Sequence, residues 1–212
     1  AGDALVRRGE YCDYPAEVVD IQAVQSGAEI NIEQILALEP DVMLMSEMAQ
    51  TVEQVAQLEE AGIAVVVSEY SDIAGVYESI KVIGTIVGKD EEAAKLIQDM
   101  QADFEELISQ VPADAEKKIY FEISPLQDGL WTAGQNTFMD EVATMLGATN
   151  CFGDVDGWAA ISEEQVLVRN PEYIVTTAMY YGEGAQPDEE ILAREGWENV
   201  DAVANGKVLS MV

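Results

Sequence analysis

A segment near the start of the chain is repeated far downstream. Residues 31–45 read NIEQILALEPDVMLM and residues 162–176 read SEEQVLVRNPEYIVT, so the two copies lie 131 residues apart. Each copy has a polar residue three positions before a glutamine, which is a capping-box spacing, and a proline that ends the helix before an apolar run. We predict that each copy forms a short helix followed by a parallel strand covered on both faces, and that the chain contains two related α/β lobes.

The rest of the chain alternates helical and strand patterns, as in repeatedly wound α/β folds. Between 90 and 111, apolar residues recur at i, i+3, i+4 and i+7 without an interrupting proline, which predicts one long helix. The fold class is therefore α/β, with two doubly wound lobes, mainly parallel central sheets and a single long helix joining them. The predicted domains are an N-terminal lobe 1–88, an interlobe helix 89–112 and a C-terminal lobe 113–212. The other predicted elements are helices 31–38, 51–60, 72–87, 136–146 and 188–195 and strands 41–45, 63–67, 118–123 and 207–211.

Acidic residues greatly outnumber basic ones, and this limits the partners of the protein. Lys and Arg together number 10 against 41 Asp and Glu, for a formal net charge of −31. Such a charge repels nucleic acid and anionic membrane surfaces, so we predict no nucleic-acid partner. The sequence contains no apolar run long enough to span a membrane, and its first residues, AGDALVRR, lack the apolar core of a signal peptide. We expect that the signal peptide is absent from this sequence.

The residues that most enzymes use are missing. The chain has no histidine, which removes the commonest general base and transition-metal ligand. Phosphate-binding loops, nucleophile elbows and zinc-protease motifs are absent as well. Asp154 and Asp156 have the spacing of a calcium loop, but no full ligand set follows, so a turn is the better interpretation. We predict no catalytic residue, no metal site and no cofactor.

Aromatic residues cluster in segments that the pattern places in loops. In wound sheets ligands bind beyond the carboxyl ends of the strands, where such loops lie, so these aromatics are candidate ligand-binding residues. Arg8, next to the first loop, is a candidate for contacting a charged group of the ligand. The alternative is that the aromatic rings only fill the cores of the lobes. The candidate aromatics are Tyr11, Tyr14, Trp131, Trp158, Tyr180 and Tyr181.

The segments EYCDYP, NIEQILALEPDVMLM, VEQVAQLEEAGIAVVV, TAGQNTFMDEVATMLGATNCF and AAISEEQVLVRNPEYIVTT, in this order, resemble the solute-binding proteins of ABC importers for cobalamin and ferric siderophores. The likeness covers nearly the whole chain and is greatest to the cobalamin-binding members. It implies a non-catalytic, extracytoplasmic protein, periplasmic or anchored to the cell surface as a lipoprotein. Such a protein captures a metal chelate in an interlobe cleft and delivers it to a permease. We expect a monomer.

The resemblance also assigns roles to individual residues. It implies that Tyr11, Trp131 and Trp158 line the corrinoid site, and that Glu33 and Glu164, one in each copy of the repeat, dock onto arginines of the permease. Two further tryptophans of the cobalamin-binding members fall on Gly27 and Ser46, which is a departure from the family pattern. The segments that the family has before AGDALV and after VLSMV have no counterpart in this sequence.

Several ligands and two other classes of function stay open at this stage. Cobalamin or a related corrinoid is the first candidate, since aromatic walls suit a flat, largely apolar ring. A ferric siderophore is the second candidate, although an anionic chelate needs basic residues that are scarce here; haem is the third. One alternative to a receptor is an enzyme, or an enzyme subunit, that uses Asp and Tyr on the same two-lobed scaffold for acid–base chemistry. The other alternative is a trimmed interaction domain that binds no ligand.

Overall fold

The structure, a computed structural model, describes residues 2–25, 30–46, 52–68, 71–112, 117–179 and 184–211. It divides into two compact units, one formed by residues 1–70 and 74–98 and the other by residues 71–73 and 99–212. The predicted domain boundaries at 88 and 112 stay a prediction.

The first half of the chain alternates strands and helices, as predicted. The strands form two parallel pairs, one between the first two strands and one between the third and fourth. Two long helices close this part of the chain, and the second of them is continuous over 20 residues, as the apolar spacing predicts. The elements are β1 (Arg8–Gly9), β2 (Ala23–Val24), α1 (Ile32–Leu36), β3 (Val42–Ser46), α2 (Val52–Glu60), β4 (Ala64–Ser68), α3 (Ile73–Ile86) and α4 (Asp90–Ser109).

The core of the N-terminal unit lies between the β3–β4 pair and the helices on one of its faces. Ile35 of α1, Leu58 of α2 and Met45 of β3 are buried together there. The opposite face is covered only in part, by α3, and Leu44 stays exposed on it. The prediction that the strand of the first repeat is covered on both faces is therefore wrong within the described residues, because α3 leaves Leu44 exposed on this second face.

The second half of the chain builds a larger mixed sheet with strand order β10-β9-β5-β6-β8, in which β7 also pairs with β5. β10, β9, β5 and β7 are parallel, whereas β6 and β8 are antiparallel to their neighbours. The connection from β5 to β6 is too short for a crossover, and this forces the antiparallel pairing. The elements are β5 (Lys118–Glu122), β6 (Trp131–Ala133), α5 (Phe138–Met145), β7 (Thr149–Asn150), β8 (Trp158–Ala160), α6 (Glu163–Arg169), β9 (Tyr173–Thr176), α7 (Pro187–Leu192), α8 (Asp201–Ala204) and β10 (Val208–Ser210).

Two tryptophans that the sequence pattern places in loops are the first residues of strands. Trp131 begins β6 and Trp158 begins β8. A three-residue strand is too short to show alternation of apolar and polar residues, so the pattern could not reveal either element. The position of both tryptophans in strands matters for the site, because a strand holds a side chain on a defined face of the sheet.

The two copies of the repeat adopt matching structures. Asn31 caps α1 by accepting a hydrogen bond from the backbone N–H of Gln34 at 2.9 Å, and Ser162 forms a capping box with Gln165 at the start of α6. After each helix the backbone enters the left-handed region at positions again 131 residues apart. Each copy then continues into a strand of a parallel pair, β3 with β4 and β9 with β10. The left-handed residues are Glu39, with φ 47°, and Asn170, with φ 45°.

Candidate functional site

Trp131 and Trp158 project from the same face of the C-terminal sheet. In the antiparallel pair β6–β8, Trp131 lies opposite Ala160 and Trp158 lies opposite Ala133. Residues opposite one another, and residues two apart on one strand, share a face, so the two indoles are diagonal neighbours. They are 44% and 51% exposed. The sheet thus presents a half-exposed aromatic surface at its β8 edge.

The loop before Trp158 is held by an arginine at the end of α6. Arg169 makes a two-point ion pair with Asp154, at 2.7 and 3.0 Å, and donates to the carbonyl oxygen of Cys151 at 2.6 Å. Its guanidinium also lies 4.3 Å from the ring centre of the buried Phe152. The hydrogen bond from Arg169 lowers the pKa of the Asp154 carboxyl. Arg169 therefore ties residues 151–154 to α6, just ahead of Trp158.

A close backbone approach fixes the other side of this loop. The N–H of Gly134, after β6, donates to the carbonyl of Gly157 at 2.8 Å. A side chain on Gly134 would meet the carbonyl oxygen of Val155 at 2.1 Å, so only glycine allows this approach. Asn136 donates to Asp156 at 2.7 Å. Asp154 and Asp156, the pair with calcium-loop spacing, are thus engaged by Arg169 and Asn136 within a turn.

A buried ionic cluster lies in the core of the same unit. Arg194 donates to both carboxylate oxygens of Glu122 at 2.9 Å and also binds Glu190. Burial acts to lower the pKa of Arg194, but the hydrogen bonds to the two carboxylates outweigh it and raise the pKa. The guanidinium also stacks on the ring of Trp197, whose indole N–H donates to Glu163, the first residue of α6, at 2.9 Å. The cluster anchors α6 to the end of β5.

Arg8 and the two N-terminal tyrosines lie in the other compact unit. The Arg8 guanidinium donates to the carbonyl oxygens of Gly9, Cys12 and Ile21 at 2.9 to 3.1 Å, and to that of Glu10. Tyr11 and Tyr14, in the loop that these contacts shape, are almost fully exposed. The structure thus gives Arg8 a role in holding the tyrosine loop; a contact between Arg8 and a ligand stays a prediction.

Glu33 and Glu164 occupy the same position in their helices, the second residue after the N-cap. Both side chains are exposed. The Ser162 hydroxyl donates to Glu164 and, with the helix backbone, lowers the pKa of that carboxyl. Negative charge is also favoured in the first turn by the helix dipole. The helix of each copy therefore presents an exposed carboxylate to solvent at the same position of its first turn.

Some predicted residues lie outside the part of the chain that the structure describes. Tyr180 and Tyr181 fall in 180–183 and Gly27 in 26–29, and Ser46 is described only as the last residue of β3. Across the described ranges, no cluster of three or more Cys, Asp or Glu side chains could hold a metal ion. None of the helices in those ranges is long and apolar enough to cross a membrane.

The sequence interpretation overlooked Arg169 and Arg194, which organise the C-terminal unit. Both could have been singled out from the sequence. The chain has only 10 basic residues, so each arginine is a candidate for a structural or binding role. Their partners could not be read from the sequence, because Asp154 and Glu122 lie 15 and 72 residues away along the chain.

Comparison with known proteins identifies one family across the whole chain. The family model described as "Periplasmic binding protein" matches residues 1–211. The chain is 32% identical to an ABC transporter substrate-binding lipoprotein, YvrC, of Bacillus subtilis strain 168, over 98% of this chain and 65% of that protein. It is 27% identical to the vitamin B12-binding protein of Vibrio cholerae, over 83% of this chain and 63% of that protein. The chain thus spans less than two thirds of the length of these relatives.

The fold is also similar to solved structures. The periplasmic heme-binding protein HutB of Vibrio cholerae matches with a TM-score of 0.84 and 20% identity, over 98% of this chain and 80% of that chain. At this identity the likeness concerns the fold alone. It confirms the predicted fold class, the two-lobed α/β fold with mainly parallel sheets.

Proposed function

Since the chain belongs to the periplasmic binding protein family, we propose that it is the substrate-binding component of an ABC transporter. It captures a flat metal chelate, cobalamin or a related corrinoid, and delivers it unchanged to a membrane permease. The protein acts outside the cytoplasm, in the periplasm or as a cell-surface lipoprotein, and as a monomer. Relatives named as a substrate-binding lipoprotein and as vitamin B12-binding proteins support this proposal.

The observation that carries the ligand class is the pair of half-exposed indoles on one sheet face. Trp131 and Trp158 leave about half of their surface to solvent, and aromatic faces of this size favour a planar, largely apolar ligand. The loop before Trp158 is held by Arg169 and by the Gly134 contact, so the second indole is positioned before a ligand arrives. Preorganisation of this kind lowers the entropic cost of binding.

The excess of acidic over basic residues favours a corrinoid over an anionic siderophore as the ligand. The protein has 10 basic residues against 41 acidic ones, and Arg8 already donates to backbone carbonyls. A strongly anionic chelate would therefore meet repulsion and few donors. A corrin ring does not need basic side chains around it.

Haem is the competing ligand, and the similar fold of heme-binding proteins favours considering it. Haem iron is often held by an axial side chain from the protein, and the chain has no histidine to serve. A tyrosine, cysteine or methionine would have to take that role, and the exposed Tyr11 and Tyr14 are available. A tyrosinate–iron charge-transfer band on adding hemin, lost in Tyr11→Phe or Tyr14→Phe, would establish haem in place of the corrinoid.

To deliver the chelate, the protein must dock onto the permease, and we assign this docking to Glu33 and Glu164. Their carboxylates are exposed at equivalent positions of the two repeat copies. Carboxylates in such positions attract cationic groups on a permease and steer its encounter with the binding protein.

The test is uptake of radiolabelled cyanocobalamin into proteoliposomes that contain the permease and ATPase of the importer. The unchanged protein should support uptake, and the double variant Glu33→Ala/Glu164→Ala should lose uptake while keeping its affinity for cyanocobalamin. Cyanocobalamin recovered after incubation should be chemically unaltered, whereas a modified product would establish an enzyme. Full uptake with the double variant would refute the docking role.

A further inference from the structure

Apolar side chains accompany both proposed docking carboxylates on the helix surface. Leu36 lies three residues after Glu33 in α1, and Leu167 lies three residues after Glu164 in α6, so each leucine shares a helix face with its glutamate. The two leucines are 37% and 38% exposed, almost the same fraction. The residue after the leucine is Ala37 in the first copy, directly after α1, and Val168 in the second copy, within α6. Val168 is 85% exposed.

Other residues of the two helices belong to the buried clusters of their units. The residue between glutamate and leucine that points inward is Ile35 in the first copy and Val166 in the second, and both are buried. Ile35 and Val166 belong to the buried clusters of their units, whereas each leucine keeps more than a third of its surface exposed. A β-branched valine such as Val168 also has a lower helix propensity than Glu, Gln, Lys or Arg, the usual residues of an exposed helix face. Val168 is among the most exposed large apolar side chains of the described residues, and it lies one helical turn after Glu164, on the same face of the helix.

We infer that each docking site is a mixed face, Glu33 with Leu36 and Ala37 on one unit and Glu164 with Leu167 and Val168 on the other. The partner is the permease, which presents a cationic side chain set in apolar surface to each face. This inference rests on the proposed function and adds the apolar half of the contact. The carboxylate gives long-range attraction, and the apolar residues give affinity that salt does not screen.

Charge complementarity selects this partner over a second copy of the chain. A net charge of −31 on each copy opposes self-association at long range. A partner with arginine or lysine beside its apolar surface meets attraction and apolar contact at the same place. The matched structure of the two copies, including their caps and left-handed ends, holds both faces in the same form.

Binding to the permease–ATPase complex in lipid nanodiscs, measured by biolayer interferometry at several salt concentrations, tests this inference. Leu167→Ser/Val168→Ser should weaken affinity about tenfold, mainly through faster dissociation, and should keep the salt dependence of the unchanged protein. Glu164→Gln should slow association and flatten the salt dependence. The matched control is Leu107→Ser, which removes a leucine that is 56% exposed on α4 and should change affinity less than twofold.

The outcomes separate this inference from the proposed function. If Glu164→Gln weakens binding and Leu167→Ser/Val168→Ser does not, docking stands and the apolar contact is wrong. If the unchanged protein does not bind the permease at all, both are wrong. If sedimentation shows a dimer that Val168→Ser converts to monomer, the face belongs to a second copy, and the inference is overturned. Equal melting temperatures for the variants show that the effects are not due to unfolding.

Discussion

Replacing either exposed tryptophan by alanine tests the ligand surface quantitatively. A buried aromatic side chain encloses about 150 to 250 Å², and Trp131 and Trp158 keep about half of their surface exposed, so a ligand can cover roughly 100 Å² of each. At about 25 cal/mol per Å², this contact contributes about 2.5 kcal/mol. We expect Trp158→Ala to weaken cyanocobalamin binding roughly 60-fold, and Trp131→Ala to have a similar effect.

The assay is quenching of intrinsic fluorescence on titration with cyanocobalamin, with isothermal calorimetry for the variants that lose the signal. Because the two indoles are diagonal neighbours, their effects should be coupled, and the double variant should lose less than the sum of the two. Trp158→Phe, which keeps a ring, should fall between the unchanged protein and Trp158→Ala. Leu107→Ala is the control for removing exposed apolar surface. Affinities within twofold of the unchanged protein for both alanine variants would refute the aromatic wall.

Three further predictions concern the framework of the C-terminal unit. Arg194→Met leaves the Glu122 carboxylate buried without its partner, so the free energy of unfolding in urea should fall by about 3 to 5 kcal/mol. Adding Glu122→Leu should largely restore it. A fall below about 1 kcal/mol would contradict the ion pair. Because Arg169 lowers the pKa of Asp154, their ion pair is intact at and above the ordinary pKa range of Asp and is lost only as the pH falls below that range. The Trp158 indole N–H signal in NMR should shift at those pH values, and should not do so in Asp154→Asn. Ser162→Ala should cost about 1 kcal/mol of stability in urea unfolding and raise the pKa of Glu164, whereas an unchanged carboxyl titration in NMR would contradict the hydrogen bond.

The repeat was the most informative feature of the sequence because each copy carries its own local signals. A capping residue, an inward-facing aliphatic side chain and a proline act over a few residues, so they could be read without knowing the rest of the fold. The long helix α4 was predictable for the same reason, since its apolar spacing extends over five turns. Both are confirmed by the structure.

The features that the sequence did not reveal depend on distant residues. β6 and β8 are three residues long and exist because they pair with each other and with β5. Arg169 acts through Asp154, which lies in the loop after β7, and Arg194 acts through Glu122 of β5, far earlier in the sequence. Trp131 and Trp158 could be suspected as aromatics near strand ends, but only the register of the β6–β8 pair places both on one face.

The central claim is that this protein captures a flat metal chelate against an aromatic surface. Thermal unfolding in the presence of increasing cyanocobalamin, with hemin and a ferric hydroxamate in parallel, tests it most directly, because only a ligand of the native state raises the melting temperature by mass action. The account predicts a rise that grows with the logarithm of cyanocobalamin concentration and is reduced in Trp131→Ala/Trp158→Ala. An unchanged melting temperature with all three chelates, or a rise that the double variant retains in full, would contradict it.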